Sequence, residues 1–370
     1  MRLRKFLKRM LIVLAAGVCL AVLGIAIFIA KCTRVPVNFE PTPEAMRQRP
    51  ENAGIPGYFR REDDTFFEYA EWFIVWSYVE KADYQQKYLP SNFPFFGSIV
   101  QYWRGYCCAA RVARGRYPSN RGAHMMLAVI GSSFTLEYGL KGLYEETVGR
   151  FTEWTSGHRP VEEDEYAYKI AREYADFVKI RPFYEFPFFR AFSGLWKSTP
   201  GWGRHPLRKW ERKVWLSIDY AIEGAYCGLM EKASHSTYGV EDDQTYVWIE
   251  NAPESIFAAN PRVRKVKDVG PNASIAKVPR YQEFTDIVQS LSRQGVRFVQ
   301  IAGNGQIQIT AVVPQNWRSD VPDCDLLFEM PILTDAGSKR VSLRAPVTSL
   351  NLVLNGLTDR GVKIEHVYDY

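Results

Sequence analysis

Phe93-Pro94-Phe95-Phe96 and Phe186-Pro187-Phe188-Phe189 are one phrase written twice, 93 residues apart, and their recurrence decides how the chain is organised. Working outward, residues 79–103 align without gaps on residues 172–196. Glu80, Ala82 and Asp83 return as Glu173, Ala175 and Asp176, and Trp103 returns as Trp196, giving 8 identities in 25 positions. Chance at this composition supplies about 2, so the same structural unit is present twice. A second echo follows at an offset of 82 residues: Glu137, Tyr138, Gly142 and Tyr144 return as Asp219, Tyr220, Gly224 and Tyr226. A repeated unit of this kind folds as two like halves that bury their faces against each other.

Residues 58–248 hold 42 of the chain's 53 aromatic residues, which marks them as one compositional block. Helical spacing dominates within it. Phe66, Tyr69, Phe73 and Trp76 fall on one stripe, and so do Ile218, Ile222 and Ala225, which the spacing predicts as core faces. Pro94 and Pro187 open apolar runs, a position where proline's missing N–H costs nothing. The block is predicted as a mainly α, internally duplicated, aromatic-rich domain, with repeat 1 at about 66–155 and repeat 2 at about 160–240.

The N-terminus reads differently. Residues 10–30 are an uncharged apolar run of 21 residues, and at 1.5 Å per residue it reaches roughly 30 Å, the thickness of a bilayer core. It exceeds the apolar stretch of a cleaved signal peptide, and Lys31-Cys32 stands where small cleavage-site residues belong. A single N-terminal transmembrane helix is expected. Arg2, Arg4, Lys5, Lys8 and Arg9 in the tail 1–9 place that end in the cytoplasm and the bulk on the far side. In a bacterium that is an inner-membrane, single-pass protein with a periplasmic body. Residues 1–34 hold seven Lys/Arg and no acid. The net charge of +6 is therefore membrane-orienting, and no basic surface for nucleic acid is implied. Residues 31–57, with five prolines, read as a stalk or as a strap along the next domain. The five cysteines outside the run are too few and too irregular for a disulfide framework, and Cys107-Cys108 read as two buried small apolar residues.

Beyond residue 248 the texture changes. Residues 249–280 read as a linker with a basic stripe, Arg262, Arg264, Lys265 and Lys267. Residues 281–370 read as an α/β domain: a helix ending at Gly295, a strand, a hairpin turn at Gly303-Asn304-Gly305, a second hairpin around Asp335-Ala336-Gly337, a helix ending at Gly361 and a last strand. Leu291 to Phe298 aligns at offset 66 on Leu357 to Ile364. Two helix-glycine-strand units around hairpins predict a ferredoxin-like open sandwich. The closing Gly361-Val362-Lys363-Ile364-Glu365-His366-Val367-Tyr368 resembles the last strand of small amino-acid-sensing regulatory domains of that fold. The resemblance implies a fold and no ligand.

No nucleophile-elbow, zincin, Cys-x-x-Cys or phosphate-loop pattern occurs. Of the histidines only His235, with Glu231, makes a helical i,i+4 pair, too few ligands for a metal. The strongest candidates are the repeated acid signatures. Glu137, Lys141 and Tyr144 share one helical face, and Asp219, Glu223 and Tyr226 share the equivalent one. If the halves pair by a pseudo-two-fold axis, Lys141 neutralises Asp219 or Glu223 across it, with the tyrosine hydroxyls satisfying the rest, and Gly142 and Gly224 allow close helix contact. A second repeated pair, Glu80/Asp83 and Glu173/Asp176, reads as salt bridging or capping. The functional expectation is a membrane-anchored, exported-side scaffold or accessory subunit of a cell-envelope complex, non-catalytic and without cofactor or metal. It meets the bilayer through residues 10–30 and a protein partner through the α/β domain or the basic stripe. The alternative is a carrier or enzyme for lipid-like or aromatic ligands at the membrane surface, with the repeated domain as its pocket.

Overall fold

The computed structural model describes residues 48–370 apart from 53, 115 and 238–242, together with Gly24, Ile27, Lys31 and Cys32. The chain is mixed: a helical region comes first, followed by two antiparallel sheets. Among the described residues no helix is long and apolar enough to cross a membrane. The expected span at 10–30, apart from Gly24 and Ile27, lies outside the described residues.

The helical region contains α1 (Asp64–Gln85), α2 (Phe95–Arg114), α3 (Arg121–Tyr144), a π turn (Glu145–Gly149), α4 (Arg150–Thr155), α5 (Glu162–Phe177), α6 (Phe188–Ser198) and α7 (Pro206–Thr237). The two halves follow one plan. The 3-10 turns Pro90–Asn92 and Phe183–Glu185 are 93 residues apart, and so are the starts of α2 and α6, each one residue after its proline. Side chains repeat the plan as well. Phe93 packs edge-on against Phe95 at 4.9 Å between centroids, and Phe186 against Phe188 at 4.8 Å. Trp103 Nε1 donates to Thr135 Oγ1 at 3.0 Å, and Trp196 Nε1 to Ser217 Oγ at 2.9 Å. A Cβ at Gly142 would sit 3.3 Å from Phe96, and one at Gly224 would sit 3.0 Å from Phe189. The glycines therefore seat the aromatic corner of their own half.

The Phe66-Tyr69-Phe73-Trp76 stripe is buried as its spacing predicts. The stripe on α7 is not: Ile218 is 46 % and Ile222 63 % exposed, and Ala225 is exposed too. Periodicity identifies an apolar face but cannot say what, if anything, covers it. The first half shares one apolar core with the sheets, whereas the second has a smaller core of its own around Phe186, Phe188, Leu195 and Leu216.

After α7 come β1 (Gln244–Glu250), α8 (Ser255–Ala259), β2 (Arg264–Gly270), β3 (Ala273–Pro279), α9 (Tyr281–Arg293) and β4 (Arg297–Ile301). Then follow β5 (Gln306–Pro314), β6 (Asp325–Ile332), β7 (Asp335–Pro346), α10 (Leu350–Asp359) and β8 (Lys363–Val367). The sheets are ordered β2-β3-β1-β4 and β6-β7-β5-β8, antiparallel throughout. Three strands, a helix and a fourth strand in one fixed order therefore occur twice. Even the irregularities match: the register slips between Trp248 and Ile249 opposite β4, and between Thr310 and Ala311 opposite β8. Gly295 (φ +79°) and Gly361 (φ +72°) end the two helices in the left-handed region, each followed by a backbone bond to the leucine four residues before it, Leu291 or Leu357.

This corrects the single ferredoxin-like sandwich. The strands β2 and β3 occupy what reads as a linker: β2 is an edge strand whose apolar residues alternate with Arg and Lys, and β3, interior beside it, is a short run that lies between prolines and glycine in the sequence. Gly303-Asn304-Gly305 does turn the chain, but it joins β4 of one sheet to β5 of the other and closes no hairpin. The second hairpin, β6–β7, forms where expected. Residues 48–52 and 54–59 lie as a strap over the first sheet: Asn52 Nδ2 and Tyr58 Oη both donate to Gln300 Oε1, at 2.8 and 3.1 Å.

Cys107 is bonded to Cys32, which corrects the reading of Cys107-Cys108 as two inert apolar residues; Cys108 remains a free thiol. The bridge closes 75 residues of sequence separation. Cys107→Ser is expected to lower stability by about 2–4 kcal/mol. Non-reducing peptide mapping should recover Cys32 and Cys107 on one cross-linked peptide and Cys108, Cys227 and Cys324 as free thiols.

Candidate functional site

The two halves meet along a charged seam. α3 and α7 run antiparallel beside each other, Ser133 reaching Tyr226, Lys141 reaching Asp219 and Tyr144 stacking on Trp215. At the centre, Lys141 Nζ lies 2.8 Å from Glu137 Oε1, 3.1 Å from Asp219 Oδ1 and 3.0 Å from Glu223 Oε1. Positions 141 and 223 are equivalent at the offset of 82, so the pseudo-two-fold axis passes between them. Four carboxylates would otherwise crowd this point. Replacing one of them by an ammonium is what allows like halves to meet here.

Of the six residues expected to share this place, the structure brings together Glu137, Lys141, Asp219 and Glu223. It turns the two tyrosines elsewhere. Tyr144 Oη donates to Glu211 at 2.6 Å, and Tyr226 accepts from Ser133 at 3.2 Å while stacking on Phe183. The hydroxyl on the acids is instead that of Tyr78 on α1, which donates to Glu137 Oε2 at 2.7 Å. Helical spacing puts 144 and 226 on the right faces, but each lies at an end of the seam beyond reach of its centre.

A cavity of about 70 Å³ opens beside the pair, lined by α1, α3, α5 and α7 with Tyr78, Lys81, Glu137, Tyr174 and Glu223 among its walls. That is room for a few water molecules. Burial raises the Glu223 carboxyl to about 7, against the opposing pull of Lys141. Burial also lowers the Lys81 ammonium, with Lys141 adding to it. For Lys141 burial opposes the charge, yet Asp219, Glu137 and Glu223 hold its ammonium well above the ordinary range. An acid whose folded value exceeds its ordinary 4.5 binds extra protons when folded. Its contribution is therefore complete below about 4.5 and is lost as pH rises through about 7. Stability should fall between about pH 5 and pH 8 by on the order of 2–3 kcal/mol. Glu223→Gln should flatten that slope, read from denaturation midpoints against pH.

A second polar cluster adjoins the first. Arg208, Lys209, Arg212 and Lys213 at the start of α7 are all at most 2 % exposed. Arg208 reaches Asp164 at 2.9 Å and Glu211 at 3.0 Å, Arg212 reaches Glu145 at 2.7 Å, and Lys209 reaches Glu163 at 3.1 Å. Burial of so many ions is tolerated because each finds an opposite charge. Reading by motif passes over this cluster. Its signal is nonetheless in the sequence: two basic pairs four residues apart on one helix, and the acidic run Glu162-Glu163-Asp164 on another.

The remaining expectations distribute as follows. Glu80 pairs with Arg340, Asp83 with Arg172, Glu173 with Arg190 and Asp176 with Lys179. That is salt bridging, and no capping bond from these side chains is seen. The basic stripe lies on or beside the edge strand β2, where charge discourages pairing with another sheet. Three of its members are used internally: Arg262 by Glu283, Lys265 by Glu254 and Asp268, and Lys267 by the carbonyl of Glu51. Burial raises the thiols of Cys227 and Cys324, to about 12 and about 11. Among the described residues no group of three His, Cys, Asp or Glu is arranged to hold a metal ion. Comparison with protein-family models, with curated proteins and with solved structures finds no match to this chain.

Proposed function

We propose that this protein is a membrane-anchored scaffold or accessory subunit of a cell-envelope complex. In that reading residues 10–30 cross the inner membrane once and the body faces the periplasm. We read the helical halves as one duplication and the two sheet units as another. The observation that carries the scaffold reading is the seam itself: its ammonium is consumed by three carboxylates of the protein, and about 70 Å³ remains beside them. A site so occupied by its own charges registers two halves and presents little to a substrate. The Cys32–Cys107 bond supports an exported body, since such bonds persist in oxidising compartments. The exposed face of β2, at the far end of the strap, is the surface we assign to a protein partner.

Native mass spectrometry of the full chain in lipid nanodiscs tests this reading. The expected spectrum shows protein without a stoichiometric small molecule, and lysine cross-linking in membranes joins Lys265 or Lys267 to one defined second protein. A ligand retained by the native chain and lost from Lys141→Met would instead establish the carrier. That second reading is favoured by one feature, the Glu223 carboxyl poised near neutrality beside Lys81.

A further inference from the structure

The third helices of the two halves carry a repeated apolar stripe that no other described residue covers. Val129, Leu136, Leu140 and Leu143 on α3 are 56–64 % exposed, and Val214, Ile218, Ile222 and Leu229 on α7 are 46–64 % exposed. Leu136 and Leu140 are equivalent to Ile218 and Ile222 at the offset of 82, so both halves present the same face. A two-fold axis perpendicular to an antiparallel helix pair keeps the outward stripes on one side. The result is two matching apolar stripes on one side of the helix pair, flanking the Lys141 seam.

The direction of this surface is fixed by contacts. Phe134 and Tyr138 of α3 pack on Phe73 and Ser77 of α1, and Leu136 and Leu140 lie two residues along, a turn of about 200°. On α2, Gly105 seats Tyr69 of α1, and Cys107 again lies two residues along. The stripe and the disulfide therefore both point away from α1. Cys32 is held there by its bond to Cys107, and its carbonyl accepts from Arg114 at 2.7 Å. The apolar run 10–30 ends two residues before Cys32 in the sequence, and Cys32 is the described residue through which it joins the folded body.

The far end of the face, where α3 ends and α7 begins, bears Phe151, Trp154, Trp202 and Trp210, exposed by 57, 67, 78 and 38 %. Arg150, Arg159 and Arg204 are exposed beside them in sequence. Aliphatic residues in the middle with tryptophan and arginine at the margin is the pattern of a surface at the headgroup level. We propose that the α3–α7 face lies in the headgroup–acyl boundary of the membrane that residues 10–30 cross, so the helical region rests on the bilayer and is not held off on a stalk. This rests on the anchored reading above.

The test uses the full chain in phosphatidylcholine–phosphatidylglycerol vesicles doped with a diazirine-bearing phosphatidylcholine, irradiated and mapped by peptide mass spectrometry. Lipid adducts are expected on residues 10–30 and also on 125–143 and 202–229, but not on α5 or α9. Leu140→Glu with Ile222→Glu, both solvent-facing in the fold, should cut the α3 and α7 adducts about tenfold and leave those on 10–30 in place. Adducts on 10–30 alone overturn this proposal and leave the anchor standing. Adducts nowhere overturn both. A lipid-free face together with a dimer abolished by the double variant assigns the face to a second copy and also overturns the proposal. The native chain's adduct map decides the matter without any variant.

Discussion

Arg208→Leu should lose about 3–5 kcal/mol of stability, the cost of stranding buried charge when one partner is removed. The guanidinium is fully buried and reaches Asp164, Glu211, Thr152 Oγ1 at 2.9 Å and the Gly149 carbonyl at 3.2 Å. Leucine fills part of the volume and satisfies none of these acceptors. Asp164, fully buried, keeps only Arg212 at 3.0 Å as an ionic partner. Urea denaturation followed by far-UV circular dichroism gives the number. Adding Asp164→Asn should recover about 1–3 kcal/mol of the loss, because contacting charges do not add independently. A loss below about 1 kcal/mol would mean that water screens the cluster as it does a surface pair.

Lys141→Met removes the cation from the centre of three carboxylates and should cost a similar amount, about 3–5 kcal/mol near pH 8. Its distinguishing feature is pH dependence. Burial already raises Glu223 to about 7, and without the ammonium it rises further. The folded variant then binds more protons than its unfolded chain across the neutral range, so stability drops as pH increases. The deficit relative to the native protein should be largest at high pH and shrink toward pH 5, where Glu223 is protonated. A deficit independent of pH would show that Lys141 contributes packing and not charge. Lys141→Arg should restore most of the stability if the seam accommodates a larger cation.

Much of the helical region is legible because its signals are local or repeated. The offset of 93 places the turns at Pro90 and Phe183 and the starts of α2 and α6, and the acid-tyrosine signature locates the seam. Lys141 against Glu223 is the one asymmetry that two like halves needed. Three things were not legible. The direction of the Ile218-Ile222 stripe depends on what lies beside α7, which periodicity does not encode. The tyrosine assignments failed because a helical face fixes an angle and not a distance along the axis. The strand β2 was hidden because an edge strand bearing Arg and Lys looks like a charged connector, and β3 went with it because its partner strand was not seen.

What the sequence determines by itself is the parts and their multiplicity. Helices with glycine-capped ends, the repeated aromatic corners and helix–glycine–strand units all follow from propensity, spacing and repetition, which act over a few residues. What only the tertiary structure decides is how the parts share charge and surface. Cys32 bonds Cys107 across 75 residues, Arg208 is buried among acids from α4, α5 and α7, and two matching apolar stripes are left outside together. Those outcomes depend on long-range packing, where each side chain's environment is supplied by residues far away in the chain.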